Sequence, residues 1–146
     1  MRGFLTTITI FLFICLSAGA QQRTCLAFWN VENLYDTIPS LFYDDSEYTP
    51  GGVRGWDSVR YCEKLRNLSR VIDEICPDVL GMAEVESEQA VRDLVMTLGT
   101  DYNYIHRTSG DTRGMDVAML YKGDKFIPEQ VRQVDVRSSR RALWVR

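Results

Sequence analysis

Two short apolar segments separated by one long amphipathic helix constrain this chain more than any other feature. Cys25 to Val31 reads as a strand with both alternating faces largely apolar, the pattern of a strand covered on both sides. Asp57 is a suitable N-cap for a helix running to about Ile75, where Pro77 stops it. Val59, Cys62, Leu65, Leu68, Ile72 and Ile75 recur at steps of three and four and mark its apolar face. Val79 to Val85 is then a short apolar run, the length of a buried strand. Strand, helix, strand is a crossover unit, and a crossover joins parallel strands of one sheet. The fold class expected is therefore α/β (α+β).

Parallel strands end at the same sheet edge, where α/β proteins bind ligands. The first strand ends at Asn30 and the second, in "VLGMAEVE", at Glu84. An amide and a carboxylate are thus expected side by side at one rim. An oxygen-only pair suits a hard cation such as Mg²⁺, which keeps several waters and takes few protein carboxylates. Strand ends also carry polar residues simply because they emerge into solvent, and Asn30 could equally bond its own backbone. Glu86, which closes an E-V-E pattern, is read as a structural acid on the face opposite Glu84.

The remaining chain adds detail. Residues 37–56 form a long irregular connection with acids at Asp44, Asp45 and Glu47, and a connection of that length is usually functional or mobile. Ser87 caps a second helix whose apolar face is Val91, Leu94, Val95 and Leu98, closed by Gly99. Tyr102 to His106 is a further strand. Val117 to Tyr121 and Phe126 to Val136 are expected to pair as a hairpin turning at Gly123-Asp124, and Ala142 to Val145 starts one more strand.

Composition excludes some classes. The chain has 146 residues and a net charge of −3, so a chain-wide basic footprint for nucleic acid is absent. Arg2, the apolar stretch Phe4 to Leu16 and Ala18-Gly19-Ala20 have the layout of a cleaved export signal, which makes residues 1–20 a signal peptide and Gln21 the mature start. The apolar stretch is too short to span a bilayer, so no stable membrane span is expected. Cys25, Cys62 and Cys76 remain after cleavage; without a C-x-x-C pair, a structural zinc site is not expected. Cys62 is read as a small buried thiol. One pair could oxidise in an exported protein, and the sequence does not choose it.

"FWNVENLYD" and "PDVLGMAEVE", in that order around the helix, resemble the two N-terminal signatures of the endonuclease/exonuclease/phosphatase superfamily, the deoxyribonuclease I-like fold. "EYTPGGVRGWDSVRYCEKLRNLSRVI" and "GMDVAMLYK" resemble its secreted bacterial members. The resemblance implies a two-layer β-sandwich flanked by helices and a metal centre that includes Asn30 and Glu84, as metal-site and catalytic residues, with Mg²⁺ or Mn²⁺ as cofactor. It implies metal-assisted attack of water on a phosphate ester: nucleic acid, inositol phosphate or phospholipid headgroup. One departure stands out, since the glutamine usual before the glutamate is Ala83 here. The histidine, Asp-x-Asn and Ser-Asp-His elements of the family belong to its C-terminal half, and nothing downstream of His106 supplies them. Residues 21–146 are therefore expected to be the N-terminal part of such a domain, with no Mg²⁺-dependent turnover alone.

His106 and Arg113 flank "RTSGDTRG" and are candidate substrate-binding residues, Arg113 through a forked pair of hydrogen bonds to phosphate. Asp116 is read as pinning that loop. Arg137, Arg140 and Arg141 could border a phosphate-bearing ligand or form an exposed turn. No obligate protein partner is indicated. Two other readings stand: an inactive truncated remnant or binding module, and an exported carbohydrate- or lipid-binding sandwich.

Overall fold

Helix α1 (Ser58–Ile75) begins where the Asp57 carboxylate accepts the Arg60 N–H at 2.9 Å. It ends at Cys76, a left-handed C-cap with φ 48°, one residue before Pro77. These contacts satisfy backbone groups that a helix end leaves unpaired. The computed structural model describes residues 23–135 and 141–146. The expected signal peptide, Val136, Arg137 and Arg140 lie outside the described residues. The buried stripe of α1 is Tyr61, Leu65, Leu68 and Ile72, with Ser69 beside it.

Cys62 departs from expectation. It is exposed, as are Val59 and Ile75, because the 3.6-residue period turns these positions off the stripe centred on Leu65 and Leu68. All three described cysteines are free and exposed.

Strands β1 (Leu26–Leu34) and β2 (Val79–Val85) pair in parallel, and β2, β4 (Asp116–Tyr121) and β3 (Asn103–Arg107) continue antiparallel in the order β1-β2-β4-β3. Helix α2 (Glu88–Thr97) starts at Ser87, whose hydroxyl accepts the Ala90 N–H at 3.1 Å. Both helices cover one sheet face. There Leu34, Ile72, Val85, Val91, Leu94 and Leu120 are at most 1% exposed. The Asp73 carboxylate ties α1 to the end of α2 by accepting the Gly99 N–H at 3.0 Å.

The expected burial of β1 on both sides is not observed. Leu26 and Phe28 are 71% and 73% exposed, because the helices lie on the opposite face. The hairpin expected from Gly123-Asp124 is also corrected. The Lys125 and Phe126 N–H groups do close a turn onto the Lys122 carbonyl, but Pro128 cannot donate to a ladder. The chain leaves the sheet there. Strand β5 begins at Val131, runs to Asp135, and pairs with β6 (Arg141–Val145) in a separate two-stranded sheet. A cavity of about 210 Å³, lined by Met119, Tyr121, Phe126 and Val145 among others, lies between this pair and the outer face of β4. Arg141 donates to Asp135 at 3.0 Å, which places it in the β5–β6 ladder. Among the described residues no helix is long and apolar enough to cross a membrane.

Candidate active site

The register between β1 and β2 is regular from Leu26 to Asn30, then slips: Asn30 lies opposite Ala83, and Leu34 opposite Val85. Between β2 and β4 the register also slips, from Ala83 opposite Val117 to Val85 opposite Asp116. Glu84 is therefore the extra residue of a bulge, at φ 64°, and Glu32 and Asn33 beside it have φ 55° and 59°. Side chains other than glycine rarely adopt this region; each such residue costs about 1–3 kcal/mol, and such strain clusters at functional sites. Buried Leu34 and Val85 clamp the distortion from the core side.

The bulges explain two features of the rim. Strand β1 extends to Leu34 rather than ending at Asn30, because pairing with β2 resumes at Leu34 and Val85 beyond the slip. Glu84 and Glu86 do separate, although plain alternation returns residues two apart to one face. The bulge takes Glu84 out of the alternation and leaves Val85 in the core and Glu86 buried.

Asn30 is exposed, and its Oδ1 accepts the Glu32 N–H at 2.9 Å. Its Nδ2 and its second carbonyl lone pair are not used by that bond. Asn30 and Glu84 thus stand on adjacent strands, one residue apart in register, at one sheet edge. Among the described residues no three His, Cys, Asp or Glu side chains converge to hold a metal ion. A carboxylate with one amide oxygen suits an Mg²⁺ whose remaining positions are water and phosphate, and does not suit zinc or calcium held by a full protein cage.

Glu86 is the anchor of the long 37–56 connection. Its carboxylate accepts the Asp36 N–H at 2.7 Å and the Tyr43 hydroxyl at 3.0 Å. The Ser87 hydroxyl donates to Asp36 at 2.7 Å. Burial pushes the Glu86 carboxyl up to about 7; the Asp36 N–H pulls it back, while the Asp36 charge pushes it further up. The folded state therefore holds this proton more tightly than the unfolded chain. Its contribution is complete below the ordinary value of 4.5 and is lost as pH rises through about 7. Glu86→Gln should flatten that slope, removing on the order of 2 kcal/mol of pH dependence between pH 4.5 and 7.5. Urea unfolding across this range checks it.

The rest of the connection is pinned by aromatic rings. Tyr35 and Tyr48 stack with centroids 3.7 Å apart, Trp56 meets Tyr48 edge-on at 6.1 Å, and the Trp56 Nε1–H donates to the Tyr35 carbonyl at 3.2 Å. Burial, with Tyr48 alongside, pushes the Tyr35 phenol up to about 12. The Tyr43 ring lies over Gly114, which has φ 73°. A side chain there would collide with the ring and strain the backbone, so Gly114→Ala should cost about 2 kcal/mol. The loss is read as a melting temperature roughly 5 °C lower.

Arg113 reaches the same rim. Its carbonyl accepts the Tyr35 hydroxyl at 3.2 Å, and its guanidinium is held charged by Asp111, with the Glu84 charge adding to the effect. It lines a hollow of about 300 Å³ with Asn33, Tyr35, Asp45, Tyr48 and Arg54. His106 stands apart from Arg113. Its Nε2 lies 3.0 Å from Asp116 Oδ2, out of line for a formal hydrogen bond, with the two side chains 10% and 5% exposed. It lines a different cleft of about 600 Å³, with Phe42, Tyr43, Glu86, Asp111 and Asp116. The structure thus brings Asn30, Glu84 and Arg113 to one rim and sets His106 behind the loop. Asp116 does pin that loop, accepting the Ser109 N–H at 2.6 Å.

Sequence reasoning missed Asp36 and Tyr43, the groups that fasten the connection to Glu86. Asp36 was visible at the end of "NLYD"; no spacing rule picks out Tyr43. An Asp-x-Asn does occur at Asp101–Asn103. It sits at the far edge, since Asn103 and Val79 both pair with Tyr121 while Arg107 and Ala83 both pair with Val117.

The sequence profile described as the endonuclease/exonuclease/phosphatase family matches residues 25–144. No curated protein sequence matches significantly. Among solved structures, a mannosyl-6-phosphatase of Bacteroides thetaiotaomicron is similar at 19% identity and a TM-score of 0.51, over 76% of this chain and 36% of that one. An endonuclease/exonuclease/phosphatase family protein of the same organism is similar at 20% identity and a TM-score of 0.50, over 75% of this chain and 33% of that one. The chain spans about a third of the length of these structures, and at such identity the likeness establishes the deoxyribonuclease I-like fold.

Proposed function

Because the chain belongs to the endonuclease/exonuclease/phosphatase family, we propose that it works as a divalent-metal-dependent phosphoester hydrolase whose metal is held at the β1–β2 rim. The observation that supports this reading is the pair of register slips, which leaves Glu84 as an extra residue next to Ala83, the β2 partner of Asn30. Glu84 would bind the cation through its carboxylate, and Asn30 through its amide or through a metal-bound water. Bound Mg²⁺ or Mn²⁺ supplies charge stabilisation for the phosphoryl and leaving oxygens.

The chain's own residues do the rest of what this rim can offer. Arg113, fixed through Asp111, orients a phosphate by charge-assisted hydrogen bonds. Tyr35 stays protonated at neutral pH and keeps its hydroxyl on the Arg113 carbonyl. Residues 21–146 contribute this metal-binding part of a larger site. Residues 1–20 direct export, so the protein acts outside the cytoplasm. A phosphomonoester of a sugar is one substrate class to test, given the mannosyl-6-phosphatase among the similar structures.

The test is hydrolysis of 4-nitrophenyl phosphate and bis(4-nitrophenyl) phosphate by the protein extended to a complete domain of this family, since residues 21–146 alone are expected to show no turnover. Turnover should need Mg²⁺ or Mn²⁺, vanish with chelator and return on adding the metal. Turnover indifferent to chelation contradicts the proposal, and the preferred ester separates phosphatase from phosphodiesterase.

A further inference from the structure

The polar contacts behind the rim form a continuous series. His106 on β3 pairs with Ala118 of β4, which makes Asp116, two residues away, its diagonal neighbour on the same sheet face. The Asp116 carboxylate meets His106 Nε2 with Oδ2, at 3.0 Å, and accepts the Ser109 N–H with Oδ1, at 2.6 Å. The Ser109 hydroxyl donates to the Met115 carbonyl at 2.6 Å and accepts the Asp111 N–H at 3.1 Å. Asp111 Oδ1 then accepts the Arg113 N–H at 2.8 Å and its Nε–H at 3.2 Å. Ser109 and Asp116 are 3% and 4% exposed and bond to each other and to Met115 and Asp111, while His106 Nε2 is held against Asp116 by proximity alone.

We propose that His106 and Asp116 are a positioning pair for Arg113: they fix the 108–115 loop from below and, through Ser109 and Asp111, set the guanidinium before phosphate arrives. This rests on the reading of Arg113 as a phosphate ligand, and it moves His106 from substrate contact to support. A flexible arginine must lose rotamer freedom on binding. Here most of that freedom is removed in advance, because the Nε–H is already engaged by a carboxylate whose own backbone is tied to a buried serine. The Arg113 Nη2 also donates to Asp111 Oδ2, at 3.4 Å, and the side chain remains 53% exposed, so a ligand would be met chiefly by Nη1, which that carboxylate does not engage.

The experiment has two arms on the full-length protein. In the first, NMR measures solvent exchange of the Arg113 Nε–H and of the Ser109 and Asp111 amides. In the second, calorimetry measures affinity for inorganic phosphate. His106→Leu should speed exchange at all three groups and weaken phosphate binding about fivefold, the cost of ordering one long side chain. His106→Gln, whose amide nitrogen can stand where Nε2 stands, should restore both. Ser109→Ala breaks the series at its next link and should repeat the loss, which covers the case of a poorly folded leucine variant. Unchanged Arg113 Nε–H exchange in His106→Leu and Ser109→Ala would overturn the positioning pair whatever phosphate does. Phosphate affinity that survives Arg113→Ala would instead overturn the phosphate reading of the rim, and the exchange arm would still decide the pair.

Discussion

If the proposed metal centre is right, Glu84→Gln should lower divalent-metal affinity at the rim, and phosphoester turnover with it, by about 100-fold. The loss is expected to be large because Glu84 is the one carboxylate ligand of the proposed centre, and an amide replaces its charge with a dipole. The fold should survive the change. Glu84 takes part in the sheet as the extra residue of a bulge, at φ 64°, and glutamine has the same shape and the same backbone preferences. Urea unfolding of the variant should agree with the parent to within about 0.5 kcal/mol, while a Mn²⁺ titration shows the loss. Parent-like Mn²⁺ affinity in the variant would remove Glu84 from the metal site.

The second large effect concerns how the rim is held. Leu34→Ala should destabilise the protein by about 3 kcal/mol, the middle of the range for deleting a buried leucine side chain. Leu34 is fully buried, lies opposite Val85 across the slip in register, and its carbonyl accepts the Glu86 N–H at 2.9 Å. A cavity at this point also loosens the clamp on Glu32, Asn33 and Glu84, so metal affinity should fall as well, although Leu34 touches no ligand. Leu41→Ala is the matched control. Leu41 is 93% exposed, and its loss should change stability by no more than about 0.5 kcal/mol. Equal costs at the two positions would show that the rim is not held from the core.

What the sequence disclosed follows from the physics each signal reports. Asp57 and Pro77 bracket α1, and Ser87 opens α2, because capping and ring constraints act within a few residues. Val79–Val85 was legible as a strand from its unbroken apolar run. Cys62 misled, since steps of three and four leave room for a residue to drift off the stripe. The expected Tyr121–Phe126 hairpin failed because a local turn signal does not say which sheet the next strand joins. The position of Asn30 and Glu84 on paired strands could be anticipated from the crossover. The bulges could not: positive φ at Glu32, Asn33 and Glu84 coincides with the slips in register and leaves no mark in composition. That His106 and Arg113 line different hollows was equally invisible, because the eight-residue loop 108–115 can carry Arg113 away from the strand that holds His106.

Paramagnetic broadening by Mn²⁺, read residue by residue in NMR spectra of the isotope-labelled protein, locates the cation without relying on turnover. At low Mn²⁺ the Asn30 side-chain amide and the Glu84 backbone amide should broaden first, and Mg²⁺ in excess should restore them. Broadening centred on the acidic group Asp44, Asp45 and Glu47, with Asn30 and Glu84 still sharp, would contradict a metal centre at the β1–β2 rim.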